Sequence, residues 1–143
     1  MDTTRIVKIL GGEKTLGARV KSASDLIPVL RAGLKYQSLE AVILRTGVSR
    51  EMALKVLGLS PRTMARRKGE KRLSAMESDR LYRLARIAAH AEEVFGSPEK
   101  AGVWLLRPNR ALGQAVPFEL LDTDEGTRQV EAVLGRIEHG VFS

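Results

Sequence analysis

The sequence predicts an all-α protein: a helix-turn-helix bundle joined by a long helix to a small helical C-terminal module. Three observations predict it. Between Ser38 and Gly69, short apolar segments are bracketed by Ser in front and Gly behind, the residues that satisfy orphan N–H groups at helix starts and adopt the left-handed conformation at helix ends. Ser74-Ala-Met-Glu77 is a capping box that opens a long apolar stripe. No alternating strand pattern of comparable length occurs.

In order along the chain, Thr3 or Thr4 is placed to cap a short helix through Leu10, stopped by Gly11-Gly12. Ser24 is placed to cap a second helix to about Ala32, with Gly33 just past its end; Pro28 lies beyond the favoured first-turn site, which moves the start towards Leu26. The intervening GGEKTLG lacks the Gly-Lys-Ser/Thr order of a phosphate loop and reads as a plain loop. Ser38 precedes LEAVILRT and Gly47 follows it, Ser49 precedes REMALKVL and Gly58 follows it, and Ser60-Pro61 opens RTMARRKG, with proline at the position where its missing donor costs nothing. Leu81, Leu84, Ala85, Ala88, Ala91 and Phe95 mark one face of the long helix, which ends at Gly96. Ser97-Pro98 and Asp122 with Glu125 start two further helices around a connecting loop, and Val130, Val133, Leu134 and Ile137 form a buried stripe on the last. The module boundary falls inside or just after the long helix, giving residues 1–35 as an N-terminal helical segment, 36–90 as the helix-turn-helix domain and 91–143 as the C-terminal domain.

Composition narrows the function classes. The 143 residues suffice for one core or two small modules sharing it. The chain has no cysteine, which excludes disulfides, thiolate metal sites and cysteine nucleophiles. It shows no signal peptide or membrane-length apolar run, so a cytoplasmic protein without membrane contact is expected. The formal charge of +7 is unevenly placed: residues 50–90 hold 11 Lys/Arg against 4 Asp/Glu, residues 1–49 hold 8 against 4, and residues 91–143 hold 5 against 9. A basic middle suits a polyanion, because each neutralised phosphate releases counterions. The acidic end suits another partner.

Two short helices around the tight Gly58-Leu59 turn are the arrangement in which the second helix enters the DNA major groove. At about 100° per residue, Arg62, Thr63, Arg66 and Arg67 fall in one arc of roughly 140° while Met64 points to the core. Arg62, Thr63 and Arg66 are candidates for base edges, since Arg pairs bidentately with guanine and Thr offers a hydroxyl and a methyl. Arg50, Arg67, Lys68, Lys71 and Arg72 are candidates for phosphate contacts, which position without reading sequence. A single short recognition helix reads few bases, so a homodimer on a palindromic operator of double-stranded DNA is expected. One departure is that Leu54 fills the slot where many such motifs carry a small residue, with Ala53 one place early.

The C-terminal module carries Phe95-Gly96-Ser97, Lys100-Ala101, Trp104-Leu105, Pro108-Asn109, Ala111-Leu112-Gly113, Pro117, Glu119-Leu120-Leu121, Thr123, Gly126 and the run from Arg136 through Gly140 to Ser143. In this ordered set the chain, over roughly residues 35–143, resembles the Xre-type antitoxins, whose bundle is Xre/Cro-like and whose C-terminal MbcA/ParS domain binds a toxin of the RES fold. The resemblance implies an antitoxin that neutralises an NAD-consuming enzyme and represses its own operon. It places Trp104, Asn109, Leu112, Arg136, Gly140, Val141, Phe142 and Ser143 at the toxin. The Val141-Phe142-Ser143 end, with its free carboxylate, suits insertion into an anion pocket. Trp104, Leu112, Phe118, Leu120 and Leu121 offer the large apolar area that interfaces concentrate, with core burial an equal alternative for Trp104. An alternative is a stand-alone regulator whose C-terminal module only dimerises.

An enzyme is not expected, nor is a cofactor or a metal. His90 and His139 stand alone, Glu92-Glu93 are adjacent and diverge on a helix, and Asp122 with Asp124 sits at a helix start. No ligand spacing for a metal occurs.

Overall fold

The structure, a computed structural model, describes residues 2–140. Among these the α-helices are α1 Thr3–Ile9, α2 Glu13–Leu16, α3 Leu26–Ala32, α4 Tyr36–Thr46, α5 Arg50–Leu57, α6 Pro61–Glu70, α7 Ala75–Phe95, α8 Pro98–Leu105 and α9 Asp124–Glu138. Short 3-10 turns occupy Ala23–Asp25, Arg110–Leu112 and Pro117–Asp122, and the described residues form no strand beyond two isolated bridges, Lys35 to Arg72 and Asn109 to Ala115. The fold is all-α, with a helix-turn-helix followed by a helical C-terminal module.

Several caps stand where the sequence places them. The hydroxyls of Ser49, Ser60 and Ser97 accept the N–H groups of Met52, Thr63 and Lys100 at 3.0–3.1 Å. Ser74 and Glu77 close the reciprocal capping box of α7 at 3.1 and 2.8 Å. Gly47, Gly58 and Gly96 end their helices at φ 76°, 68° and 88°, where a side chain costs about 1 kcal/mol or more.

Other starts differ, each for a local reason. Asp2, not Thr3 or Thr4, caps α1 by accepting from Arg5 N–H. Ser22, not Ser24, opens the 3-10 turn that leads into α3 at Leu26. GGEKTLG is not a plain loop, since Glu13–Leu16 closes one helical turn that buries Leu16. Ser38 caps nothing: α4 begins at Tyr36, and the fully buried Ser38 hydroxyl donates to the Leu10 carbonyl at 2.7 Å, which tethers α4 to the end of α1. Thr123, not Asp122, caps α9 by accepting from Gly126 N–H at 2.9 Å.

The core is built around α7. At 21 residues it is about 31 Å long, and α1, α3, α4, α5, α8 and α9 pack along it. Leu81, Leu84, Ala85, Ile87, Ala88 and Ala91 are buried on it, and one cluster joins them to Ile6 and Ile9 of α1, Leu39 of α4, Leu57 of α5, Leu105 of α8 and Val130 and Leu134 of α9. The Pro117–Asp122 turn lies against α5 and α9 and drives Phe118 and Leu121 into this core, each 1% exposed. Burying a side chain of that size stabilises by about 2–3 kcal/mol.

An anion sits in the same region. Glu92, 2% exposed, accepts from Arg45 Nε at 2.7 Å and Nη2 at 2.8 Å and from Arg5 Nη1 at 3.1 Å. Burial pushes the Glu92 carboxyl up, but the hydrogen bond and charge of Arg45, with those of Arg5, outweigh it and hold the group below the usual carboxylate value. The same bond raises Arg45. Three helices, α1, α4 and α7, are thereby clasped at one point, as a buried carboxylate requires charged donors.

Candidate nucleic-acid interface and partner face

The helix-turn-helix is α5 and α6 across Gly58-Leu59. Leu59 N–H returns to the Leu54 carbonyl at 2.9 Å, the six-to-one closure of a glycine-ended helix, and Arg80 Nη1 donates to the Leu57 carbonyl at 3.0 Å. A Cβ at Gly58 would sit 2.8 Å from Arg80 Nη1. Ala53 is 1% exposed and fully enclosed, so the small residue one place early supplies the close approach while Leu54 adds to the core.

Helix α6 buries a single side chain, Met64, which is the inward residue its periodicity predicts. The remainder faces outward, with Arg62 and Arg66 exposed and Thr63 half-buried. Arg66 is 62% exposed and reaches only Glu70, at 4.0 Å. The Thr63 hydroxyl accepts from Ser60 Oγ at 3.0 Å, leaving its own proton free to donate.

The residues expected on phosphates divide into two groups. Lys68 and Lys71 are exposed, and Lys71 ends α6 at φ 62°. Arg67 is engaged inside the molecule: Nε and Nη2 fork onto Glu77 at 2.8 and 3.1 Å and Nη1 meets Glu70 at 3.0 Å. The Glu77 bond raises the Arg67 pKa; Glu77 is pushed up by burial but pulled further down by Arg67 and the Ser74 amide. Arg67 thus braces α6 against the start of α7. Arg72 donates to the Gly33 carbonyl at 2.7 Å. Arg50 donates to Glu40 at 3.0 Å and the Tyr36 hydroxyl at 3.3 Å, and the Glu40 bond raises its pKa.

On the C-terminal module Trp104 is half-buried and tilts against Phe95, with ring centroids 5.5 Å apart. Both line an open groove of about 580 Å³ together with the apolar Val103 and Pro108 and the polar Glu99, Lys100, Arg107 and Asn109. A neighbouring cleft continues this apolar strip through Val103 and Leu106 to Leu44 of α4, which is 86% exposed. Asn109 is engaged locally: its side chain accepts from Ala111 N–H at 2.9 Å and caps the Arg110–Leu112 turn. Leu112 and Leu120 are half-buried against the core. Phe118 and Leu121, by contrast with the sequence expectation, spend their apolar area inside the molecule and not on a partner. Arg136 is half-buried near the end of α9 and Gly140 is exposed at φ 71°. Val141, Phe142 and Ser143 lie outside the described residues.

His90 Nε2 lies 3.3 Å from Glu138, and Arg86 meets Glu131 in an ion pair of 2.6 Å, so these groups join α7 to α9. Among the described residues no group of three or more His, Asp or Glu is placed to hold a metal, and no helix is long and apolar enough to cross a membrane. The Arg5–Glu92–Arg45 clasp and the Arg67–Glu77 fork carry no sequence signal, since their partners lie 87, 47 and 10 positions apart.

Comparison with known proteins bears on both faces. Residues 25–86 match the antitoxin Xre-like helix-turn-helix domain, and residues 90–140 match the antitoxin Xre/MbcA/ParS C-terminal toxin-binding domain. The chain is 33% identical over 132 residues to an antitoxin Xre of Photorhabdus laumondii, covering 91% of this chain and 89% of that protein. It is 30% identical over 132 residues to a Prs ADP-ribosylating antitoxin of Sphingobium, covering 85% and 83%. Among solved structures, the crystal structure of the M. tuberculosis MbcT–MbcA toxin–antitoxin complex aligns with a TM-score of 0.56 at 28% identity, over 76% of this chain and 96% of that one.

Proposed function

The chain belongs to the family of Xre antitoxins with an MbcA/ParS toxin-binding domain, and from that premise we propose that it silences a RES-fold, NAD-consuming toxin and represses its own operon. The observation that carries the reading is the presence in one chain of an arginine-faced α6 and an acidic module that leaves Trp104 and its apolar groove open. Residues 36–90 form the DNA-binding unit and 91–143 the toxin-binding unit, preceded by the 1–35 segment. The protein acts in the cytoplasm as a homodimer on a palindromic operator, and as a binder rather than a catalyst.

In this reading the Trp104 groove and the apolar strip to Leu44 receive the toxin, since large exposed apolar side chains rimmed by polar ones mark interaction surfaces. The segment Gly140 to Ser143 enters the NAD pocket, with Arg136 and Ile137 anchoring the helix behind it. Co-expression with the product of the adjacent gene tests the whole: the two proteins co-purify, NAD is spared only when both are present, and the promoter upstream is protected in a footprint. A neighbour that neither co-purifies nor consumes NAD leaves a stand-alone regulator.

A further inference from the structure

Residues 25–35 of the N-terminal segment fall inside the helix-turn-helix match, and the structure brings part of the segment to the edge of α6. Residues 33–36 and 71–73 lie side by side, Tyr36 N–H donating to the Lys71 carbonyl at 3.1 Å and Leu73 N–H to the Leu34 carbonyl at 2.8 Å, with Lys35 and Arg72 as facing bridge partners. Gly33, at φ 94°, lets the segments approach so closely that a Cβ there would collide with the Leu73 carbonyl. Two open clefts meet at Lys35 and Arg72. One, of about 500 Å³, runs towards α6 past Lys68 and Lys71; the other, of about 660 Å³, runs back over the N-terminal segment to Arg19.

The acids near this path are each hydrogen-bonded within the protein, Asp25 and Glu13 to backbone N–H groups, which leave their charge in place, and Glu70 to an arginine. Asp25 accepts the backbone N–H groups of Lys21 and Ser22 at 2.8 and 3.2 Å, Glu13 accepts that of Val20 at 2.8 Å, and Glu70 accepts from Arg67 at 3.0 Å. The Asp25 and Glu13 bonds shape the loop that carries Arg19. Among the described residues, Arg19, Lys35, Lys68 and Lys71 enter no ion pair within 4.0 Å.

We propose that Arg19 and Lys35 extend the cationic edge of α6 into a phosphate track that grips the duplex flanking the base pairs read by α6. The proposal rests on the DNA-binding reading above. At the α6-side cleft a protein partner is a poorer match, because Tyr36 is the only aromatic or aliphatic side chain lining it, whereas the centre of a protein interface is apolar. The cleft towards Arg19 also has Leu16, Pro28 and Val29 in its lining, so loss of toxin co-purification with an unchanged salt slope is an outcome that overturns the track. A backbone track adds affinity without sequence information, and each phosphate neutralised adds about 0.9 to the slope of log affinity against log salt.

The test uses the full chain with two probes, a duplex spanning the promoter upstream of its gene and a scrambled duplex of equal length. Arg19→Gln with Lys35→Gln should lower the salt slope by about 2, leave the preference for promoter over scrambled DNA unchanged, and shorten the footprint at its outer edges. Neither side chain belongs to the core, so the variant should keep its helical circular dichroism; Arg19→Gln alone, with a slope lower by about 1, decides the matter if it does not. An unchanged slope, with Arg66→Ala still weakening promoter binding, overturns the track but keeps the DNA reading. A wild-type chain with no salt-dependent binding to either duplex overturns both. An unchanged slope with lost toxin co-purification gives the surface to the toxin and also overturns the track.

Discussion

Arg66 and Arg67 are neighbours in sequence with opposite fates. Arg66 stands out from α6 with a distant carboxylate, while Arg67 is forked onto Glu77. Arg62→Ala and Arg66→Ala are each expected to weaken operator binding by about 1–3 kcal/mol and change the preferred base at one position, whereas Lys71→Ala lowers affinity for all duplexes and the salt slope by about 1. Equal, sequence-independent losses for all three would show that the base and phosphate roles are misassigned. Arg67→Ala should instead appear as lost thermal stability before any change in sequence preference. Glu92 gives a second prediction. Its folded pKa lies below the ordinary 4.5, so its stabilising contribution is fully present above that value and is lost as pH falls through the lower folded pKa. Urea midpoints should therefore decline in acid, and Glu92→Gln should lose on the order of 3 kcal/mol at neutral pH, because Arg45 is left without its carboxylate, and flatten that decline.

Among the elements, the helices with polar caps and long apolar stripes were legible in the sequence, α5, α6 and α7 most fully, because their signals lie within a few residues of one another. Where the signal was tertiary it was silent or misleading. Ser38 has the chemistry of a cap, but the Leu10 carbonyl claims its hydroxyl from 28 positions away. Arg50 and Arg72 read as phosphate ligands by charge, and their bonds to Glu40 and the Gly33 carbonyl are tertiary features the sequence does not show. Phe118 reads as an interface anchor by size alone, and only the packing of its turn against α5 and α9 shows it buried. Gly102 is a similar case. A Cβ there would lie 2.7 Å from the Thr46 carbonyl, so α8 crosses the end of α4 with no room for a methyl. Gly102→Ala is expected to cost about 1–3 kcal/mol through overpacking, despite alanine's better helix propensity, and chemical denaturation checks the sign.

For the molecule as a whole, two expectations separate its faces. Footprinting should protect two half-sites about one helical turn apart, and a single half-site held by a monomer would count against the dimer. Deleting Gly140 to Ser143 should leave folding, DNA binding and co-purification with the toxin intact while NAD-consuming activity returns to the complex; a truncated complex that stays inactive rules out the tail as the plug. Underlying both is the shared α7, whose side chains enter a single cluster with those of α1, α4, α5, α8 and α9. Neither half can melt without stripping the other of its packing, so calorimetry should record one cooperative transition. A cellular protease that captures the unfolded chain would then remove both modules in one event, leaving neither to persist on its own.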